Sequence, residues 1–205
     1  MSDPLLPGLD VSRETRERLE AFQALLLKWN RRINLISRAT AEDAWTRHIL
    51  DSAQLWPLAE SAPSWADFGA GAGLPGLVIA ILAAELDPAR EIHLIESDQR
   101  KVAFQREAAR TLGLSPILHT TRIEELPPRP FGILSARALA PLPRLLPQLA
   151  PFTGPGSQIL LPKGAALDKE LTAAEADWHI EADRVASLTD PAGQILRIHR
   201  LEPRP

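Results

Sequence analysis

The residues best placed to do chemistry stand in one run, Asp67-Phe68-Gly69-Ala70-Gly71-Ala72-Gly73-Leu74-Pro75-Gly76, in which an acid precedes four glycines and an apolar segment follows. Glycine has no Cβ, so a turn carrying Gly69, Gly71 and Gly73 lets the main chain approach a ligand closely. The helix expected next, with Pro75 in its first turn, offers unpaired N–H groups and the positive end of its dipole. Gly71 to Gly76 also spells G-x-G-x-x-G, and Glu96 follows where a nucleotide-binding fold keeps the acid that takes ribose hydroxyls. A dinucleotide and S-adenosylmethionine both suit that spacing. Asp67 separates them, because a carboxylate ahead of the loop repels a diphosphate but attracts an ammonium or sulfonium group, directly or through water. S-adenosylmethionine, which carries an amino group, a ribose diol and an adenine but no phosphate, is the expected cofactor.

Other chemistries lack their residues. The chain has no cysteine, so disulfides, thiolate metal sites and a cysteine nucleophile are excluded. His48, His93, His119, His179 and His199 show no H-x-x-x-H or H-E-x-x-H spacing, and no metal is expected. There is no tyrosine to supply the Tyr-Lys pair of an NAD-dependent oxidoreductase, and no paired carboxylates or nucleophile-histidine set present themselves. The N-terminal residues carry no basic region followed by a long apolar run, and the most hydrophobic stretch, Leu77 to Ala84, falls far short of the roughly 20 residues of a membrane span, so a cytoplasmic protein without membrane contact is expected. With a net charge of -3, contact with nucleic acid would have to come from a local basic patch.

The elements that must position these groups are legible in the periodicity. Leu19, Phe22, Leu26, Trp29 and Ile33 recur at steps of three and four, one face of a helix that Ser12 would cap. Thr40 with Asp43 reads as a capping pair for a second helix running to Pro57, and the first sixty residues read as a helical extension packed on a core formed by 61–205. From Trp65 onward short apolar runs alternate with helical ones. Strands are predicted at 65–68, 92–96, 116–119, 131–135 and 157–161, and helices near 75–86, 98–112, 142–149 and 167–176. That alternation predicts an α/β fold: a Rossmann-like, mostly parallel central sheet with helices on both faces. Two strands around the turn at Asp190 to Gly193 form a C-terminal antiparallel pair. Pro147 makes the helix at 142–149 the least regular of these elements, since it removes an internal hydrogen bond.

Several strings in order, "KWNRRINLIS", "TRHILDS", "DFGAGAGLPG", "LIESDQRKVAFQRE", "TRIEEL", "ILSARALAPL" and "LLPKG", resemble the bacterial 16S ribosomal RNA guanine-N7 methyltransferases called RsmG or GidB, over about Leu26 to Gly164. The sequence departs from that family in carrying Glu96 where Asp is frequent, and in the prolines after "SARALAP". The resemblance implies a class I methyltransferase fold and S-adenosylmethionine as cofactor. It places cofactor contacts at Gly69 and Leu74 in the loop, at Ile123 and Glu124 beside the adenine, and at Arg137; Asp67, Gly71 and Glu96 join them from the spacing.

Guanine N7 carries a lone pair and no proton, so such a site needs positioning groups and no general base. Arg137 and Lys163, at the ends of neighbouring predicted strands, are candidates to hold a phosphate or the guanine O6. His48, with Asp51 one helical turn on, is either a third substrate-site residue or half of a packing pair, and Asn30 with Asn34 is open between RNA contact and local capping. Lys28, Arg31, Arg32, Arg47, Arg100 and Lys101, with Arg38 and Arg106, form the basic patch that would meet RNA. The acidic total points to 16S rRNA within a small-subunit ribosomal particle, met at several points, as the partner, and a monomer is expected. A methyltransferase for a small molecule or protein would share the loop but not need the arginine-rich first helix.

Overall fold

The computed structural model describes residues 3–204. The chain opens with a two-stranded hairpin, β1 (Asp3–Leu6) and β2 (Leu9–Val11), which the helical reading of the first sixty residues missed. Leu9 and Val11 alternate with an exposed Asp10, a period too short to register beside the helix that follows. Helix α1 (Arg13–Asn30) begins at Ser12, whose Oγ accepts from the Thr15 amide at 3.2 Å, and Glu85 in turn takes the Ser12 amide and hydroxyl. Thr15, Leu19, Phe22 and Leu26 form its buried stripe, so the three-four spacing is the face laid on the core.

The second predicted helix is in fact several short pieces. Helix α2 (Arg38–Ala41) is capped by Ser37, one turn earlier than Thr40, because the Ser37 hydroxyl accepts from the Thr40 amide. A π-helical turn, Trp45–Leu50, then runs into α3 (Asp51–Ala53), and a 3-10 turn, Trp56–Leu58, ends the segment. The wide turn carries Arg47 and His48. A π turn adds a residue to the helical circuit and is frequent at functional sites.

The sheet then builds from β3 (Ser64–Phe68), α4 (Gly76–Leu86), β4 (Glu91–Ile95), α5 (Gln99–Leu112), β5 (Ile117–His119), β6 (Ile133–Ser135), α6 (Leu142–Leu149), β7 (Gln158–Lys163), α7 (Leu167–Ala174), β8 (Trp178–Ala186) and β9 (Gln194–Pro203). Its order is β5-β4-β3-β6-β7-β9-β8, with the first five strands parallel and β9 antiparallel to both neighbours. The chain winds outward from β3 to β5 and then returns to β6 on the other side of β3. The crevice outside the carboxyl ends of β3 and β6 is therefore the switch point at which such sheets bind ligands.

Alternation along β3 sends Trp65 to one face of the sheet and Ala66 and Phe68 to the other. On the Trp65 face, α4 lies buried from Gly76 to Ala83, sheathed in turn by α1 and the 45–58 segment; this double covering is why its sequence is apolar all round. On the opposite face α6 and α7 cover Phe68, Phe131 and Phe152. Helix α6 keeps Pro147 inside it and still buries Leu142, Leu145, Leu146 and Leu149.

Candidate active site

A cavity of about 1030 Å³ opens at the switch point. Its floor is the glycine loop. Gly69, Gly71 and Gly73 all take positive φ, +68°, +54° and +72°, so the loop depends on glycine for its path as well as for its bareness. The Gln105 side-chain amide donates to the Gly71 carbonyl at 2.9 Å and ties the loop to α5.

Two sequence expectations about this loop are corrected. Asp67 does not face the cavity. It is completely buried beneath the loop, with Oδ2 accepting the Gly76 amide at 2.9 Å and Oδ1 accepting the Ser135 hydroxyl at 2.9 Å; Ser135 Oγ itself accepts the Trp65 indole N–H at 2.9 Å. Burial pushes the Asp67 carboxyl up to about 7 against the pull of these two donors, so it is no fixed negative charge aimed at a cationic ligand. Helix α4 begins at Gly76, with Pro75 at its N-cap, and the first amide of the helix is spent on Asp67 and is not offered to a ligand.

Glu96 lies at the end of β4 and does line the cavity. Its two oxygens accept backbone amides, Gly71 at 2.8 Å and Asp98 at 2.8 Å, and bind the glycine loop to the β4–α5 turn. Each oxygen keeps a lone pair for a further donor. Gly69, Gly71, Leu74, Ile123 and Glu124 also face the cavity, and Glu124 accepts from the Gln148 amide at 3.0 Å.

Opposite the loop stands a polar cluster centred on Arg137. Its guanidinium donates to Asp51 Oδ2 at 3.0 Å, to His48 Nδ1 at 3.2 Å and to the Arg47 carbonyl at 3.3 Å. His48 and Asp51 therefore meet through Arg137. Burial, followed by the positive charge of Arg137, lowers the His48 pKa to about 4, and the ring is neutral at ordinary pH. With Nδ1 accepting from Arg137, the proton sits on Nε2, which donates to Thr40 Oγ1 at 2.9 Å. Asp51 Oδ1 accepts from Gln54 at 2.9 Å and from the Thr189 hydroxyl at 2.7 Å, and Arg47 pairs with Asp190 at 3.1 Å, so the turn between β8 and β9 closes one rim.

Lys163 is paired as well. Its ammonium donates to Glu170 at 2.8 Å and to the Ala140 carbonyl at 3.1 Å, while Glu170 accepts the Leu142 amide at 3.0 Å. Burial acts to raise the Glu170 pKa, but the hydrogen bonds from Lys163 and Leu142 outweigh it and the net shift is downward.

Of the basic patch, Arg47 and Lys101 line the main cavity, and Asn30, Arg31, Arg32, Asn34 and Arg38 line an adjoining depression of about 820 Å³ that shares Leu35 and Ser37 with it. Arg32, Asn34, Arg100 and Lys101 line a third depression, and Lys28 lies outside all three. Asn30 makes the local contact: its Oδ1 accepts the Leu35 and Ile36 amides at 2.8 and 3.0 Å. Sequence reasoning missed Gln54, Thr189 and Glu170, which come together only through tertiary folding. It also passed over Ser135, although that residue sits inside the quoted "ILSARALAPL".

The sheet order, the glycine loop under the switch point and the acid ending the second strand define a class I S-adenosylmethionine-dependent methyltransferase. Solved structures agree on the fold: a class I methyltransferase from Listeria monocytogenes superposes with a TM-score of 0.62 at 14% identity, covering 91% of this chain and 68% of that one. A ribosomal protein L11 methylase from Lactobacillus delbrueckii superposes with a TM-score of 0.58 at 20% identity, covering 74% and 76%. The sequence goes further. Residues 15–196 match the rRNA small subunit methyltransferase G family, GidB, and the chain belongs to it. Ribosomal RNA small subunit methyltransferase G of Cereibacter sphaeroides is 48% identical over 202 residues, 98% of each chain, and that of Rhodospirillum rubrum is 50% identical over 189 residues, 92% of each.

Proposed function

We propose that this chain transfers a methyl group from S-adenosylmethionine to N7 of a guanine in 16S ribosomal RNA, in the decoding-region loop of the small subunit. The observation that carries the reading is the single cavity in which a bare glycine cradle and Glu96 face the Arg137 cluster, in a chain of this family. S-adenosylmethionine supplies a methyl group already activated on a sulfonium sulfur. The residues fit it: Glu96 has free lone pairs for a ribose diol, Gly69, Gly71 and Leu74 offer a close backbone, and Ile123 with Glu124 forms the wall for the adenine. Asp67 acts from beneath by holding the loop to α4.

The N7 lone pair forms the new N–C bond while the S–C electrons return to sulfur, so no proton moves and no base is required. What the protein contributes is alignment and a suitable field. His48 is neutral and Arg137 is compensated by Asp51, which keeps uncompensated positive charge away from a purine that is itself becoming cationic. Lys163, through Ala140 and Glu170, fixes the segment after β6.

The basic depressions that continue the cavity through Leu35, Ser37 and Lys101 suit the phosphates flanking the target nucleotide. Among the described residues, no helix is long and apolar enough to cross a membrane and no group of three or more metal-ligating side chains occurs. We place the enzyme in the cytoplasm as a monomer acting on the small-subunit particle. The decisive measurement is a map of methylated nucleotides in 16S rRNA from cells with and without this protein. Loss of one N7-methylguanosine on deletion supports the assignment, and an unchanged map refutes it.

A further inference from the structure

Of the four large apolar side chains exposed among the described residues, Leu86, Ile117, Leu139 and Leu188, Leu139 alone lines the cavity. It lies directly over the glycine loop, where a Cβ built on Gly69 would come within 2.6 Å of Leu139 Cδ1. The residue before it, Ala138, takes φ +53° and is the one non-glycine residue with positive φ among those described. An alanine adopts that conformation at a cost, and such costs persist where surrounding structure enforces them, typically at functional sites.

Enforcement is visible on both sides. Arg137 is fixed by Asp51 and His48; the Ala140 carbonyl is held by Lys163 and the Leu142 amide by Glu170. Two salt bridges thus hold a short segment that presents one leucine, 37% exposed, to the cavity beside Gly69.

Accepting the methyl-transfer reading on which this rests, we propose that Leu139 is a substrate-contacting residue: its side chain is the apolar wall against which the face of the target purine packs beside the methyl donor. An aliphatic wall suits that position for two reasons. It carries no charge to oppose the cation formed on the purine, and it excludes water from the transfer path. It also gives a second reason for the glycine at 69, since any side chain there would occupy the place of Leu139.

The test compares the full-length chain with Leu139→Ser and Leu139→Met, measuring S-adenosylmethionine affinity by calorimetry without RNA and single-turnover transfer from labelled cofactor to small-subunit particles. Leu139→Ser should lower the transfer rate at saturating particle by roughly 10- to 100-fold, the range expected when a pocket loses its apolar contact. Cofactor affinity should stay within about twofold, and Leu139→Met should restore most of the rate. An unaltered rate in Leu139→Ser, or a loss that merely follows lost cofactor affinity, overturns the inference. Absence of transfer by the unsubstituted chain overturns the functional reading and this one with it. Transfer by that chain to another purine position corrects the target atom and leaves the Leu139 comparison decisive.

Discussion

Replacing Ser135 by alanine tests the buried polar chain that holds the loop to the sheet. The hydroxyl accepts the Trp65 indole N–H and donates to Asp67, and all three residues are completely buried. Alanine leaves the indole N–H without a partner, which costs about 1–3 kcal/mol, and removes a hydrogen bond to a carboxyl group worth about 1–3 kcal/mol in either protonation state. The lost volume is one oxygen, too small to readmit water easily. A total of about 3 kcal/mol follows, a drop of roughly 6–12 °C in Tm for a chain of this length. Urea denaturation at pH 8 followed by Trp fluorescence measures it. The double substitution Trp65→Phe with Ser135→Ala removes the orphaned donor along with its partner, so its cost should fall well short of the sum of the two single changes. If Ser135→Ala costs less than about 1 kcal/mol, or the two changes simply add, the coupled chain of bonds does not exist as described.

Asp67 should give stability an unusual pH dependence. Its carboxyl pKa is raised from 3.8 to about 7 in the fold, so its contribution is fullest below pH 3.8 and is lost as pH rises toward 7; Asp67→Asn should gain on the parent by on the order of 4 kcal/mol between pH 4 and pH 8, read from paired denaturation curves. His48 works in the opposite sense, its pKa being lowered from 6.5 to about 4, so stability it confers above pH 6.5 drains away as pH falls toward 4, and His48→Gln should flatten that acid limb. Asp51→Asn should cost about 1–3 kcal/mol and slow methyl transfer at least tenfold, and the stability cost should largely vanish in an Arg137→Ala background if the 3.0 Å pair is its source. Gly69→Ala forces a left-handed alanine, roughly 1–2 kcal/mol, and displaces Leu139; turnover should drop more than thermal stability does, as activity assays and melts on one preparation would show.

The central sheet could be read in advance because its signals are local. Apolar runs at β3, β4 and β7 are buried on both faces, and each is followed by a helix whose approach carries a glycine or, at α5, the capping Asp98. The β1–β2 hairpin escaped because three alternating residues beside an 18-residue amphipathic helix leave too little periodicity to detect. The π turn at Trp45–Leu50 escaped for another reason: its residues have ordinary helical spacing, and the contacts made there, from Arg137 to the Arg47 carbonyl and to His48, are long-range.

Asp67 lies where strand alternation overrides the motif. Its position in the run suggested a carboxylate reaching for the ligand, but strand alternation turns it into the sheet face beneath α4, where the Gly76 amide meets it. Glu96 ends its strand beyond the last ladder pair and is free to turn toward the cavity. The same residue type one position earlier or later in a strand faces a different solvent, and the motif alone does not say which.

The turn joining the last two strands has a bearing on how this molecule comes into being. Thr189 and Asp190 leave the ribosome 138 and 143 residues after Asp51 and Arg47, the residues they clasp. A nascent chain with its nucleotide-binding half already formed would still lack the clasp that steadies the arginine. The arginine cluster is therefore completed only once the turn between β8 and β9 has been made and has folded back onto Arg47 and Asp51.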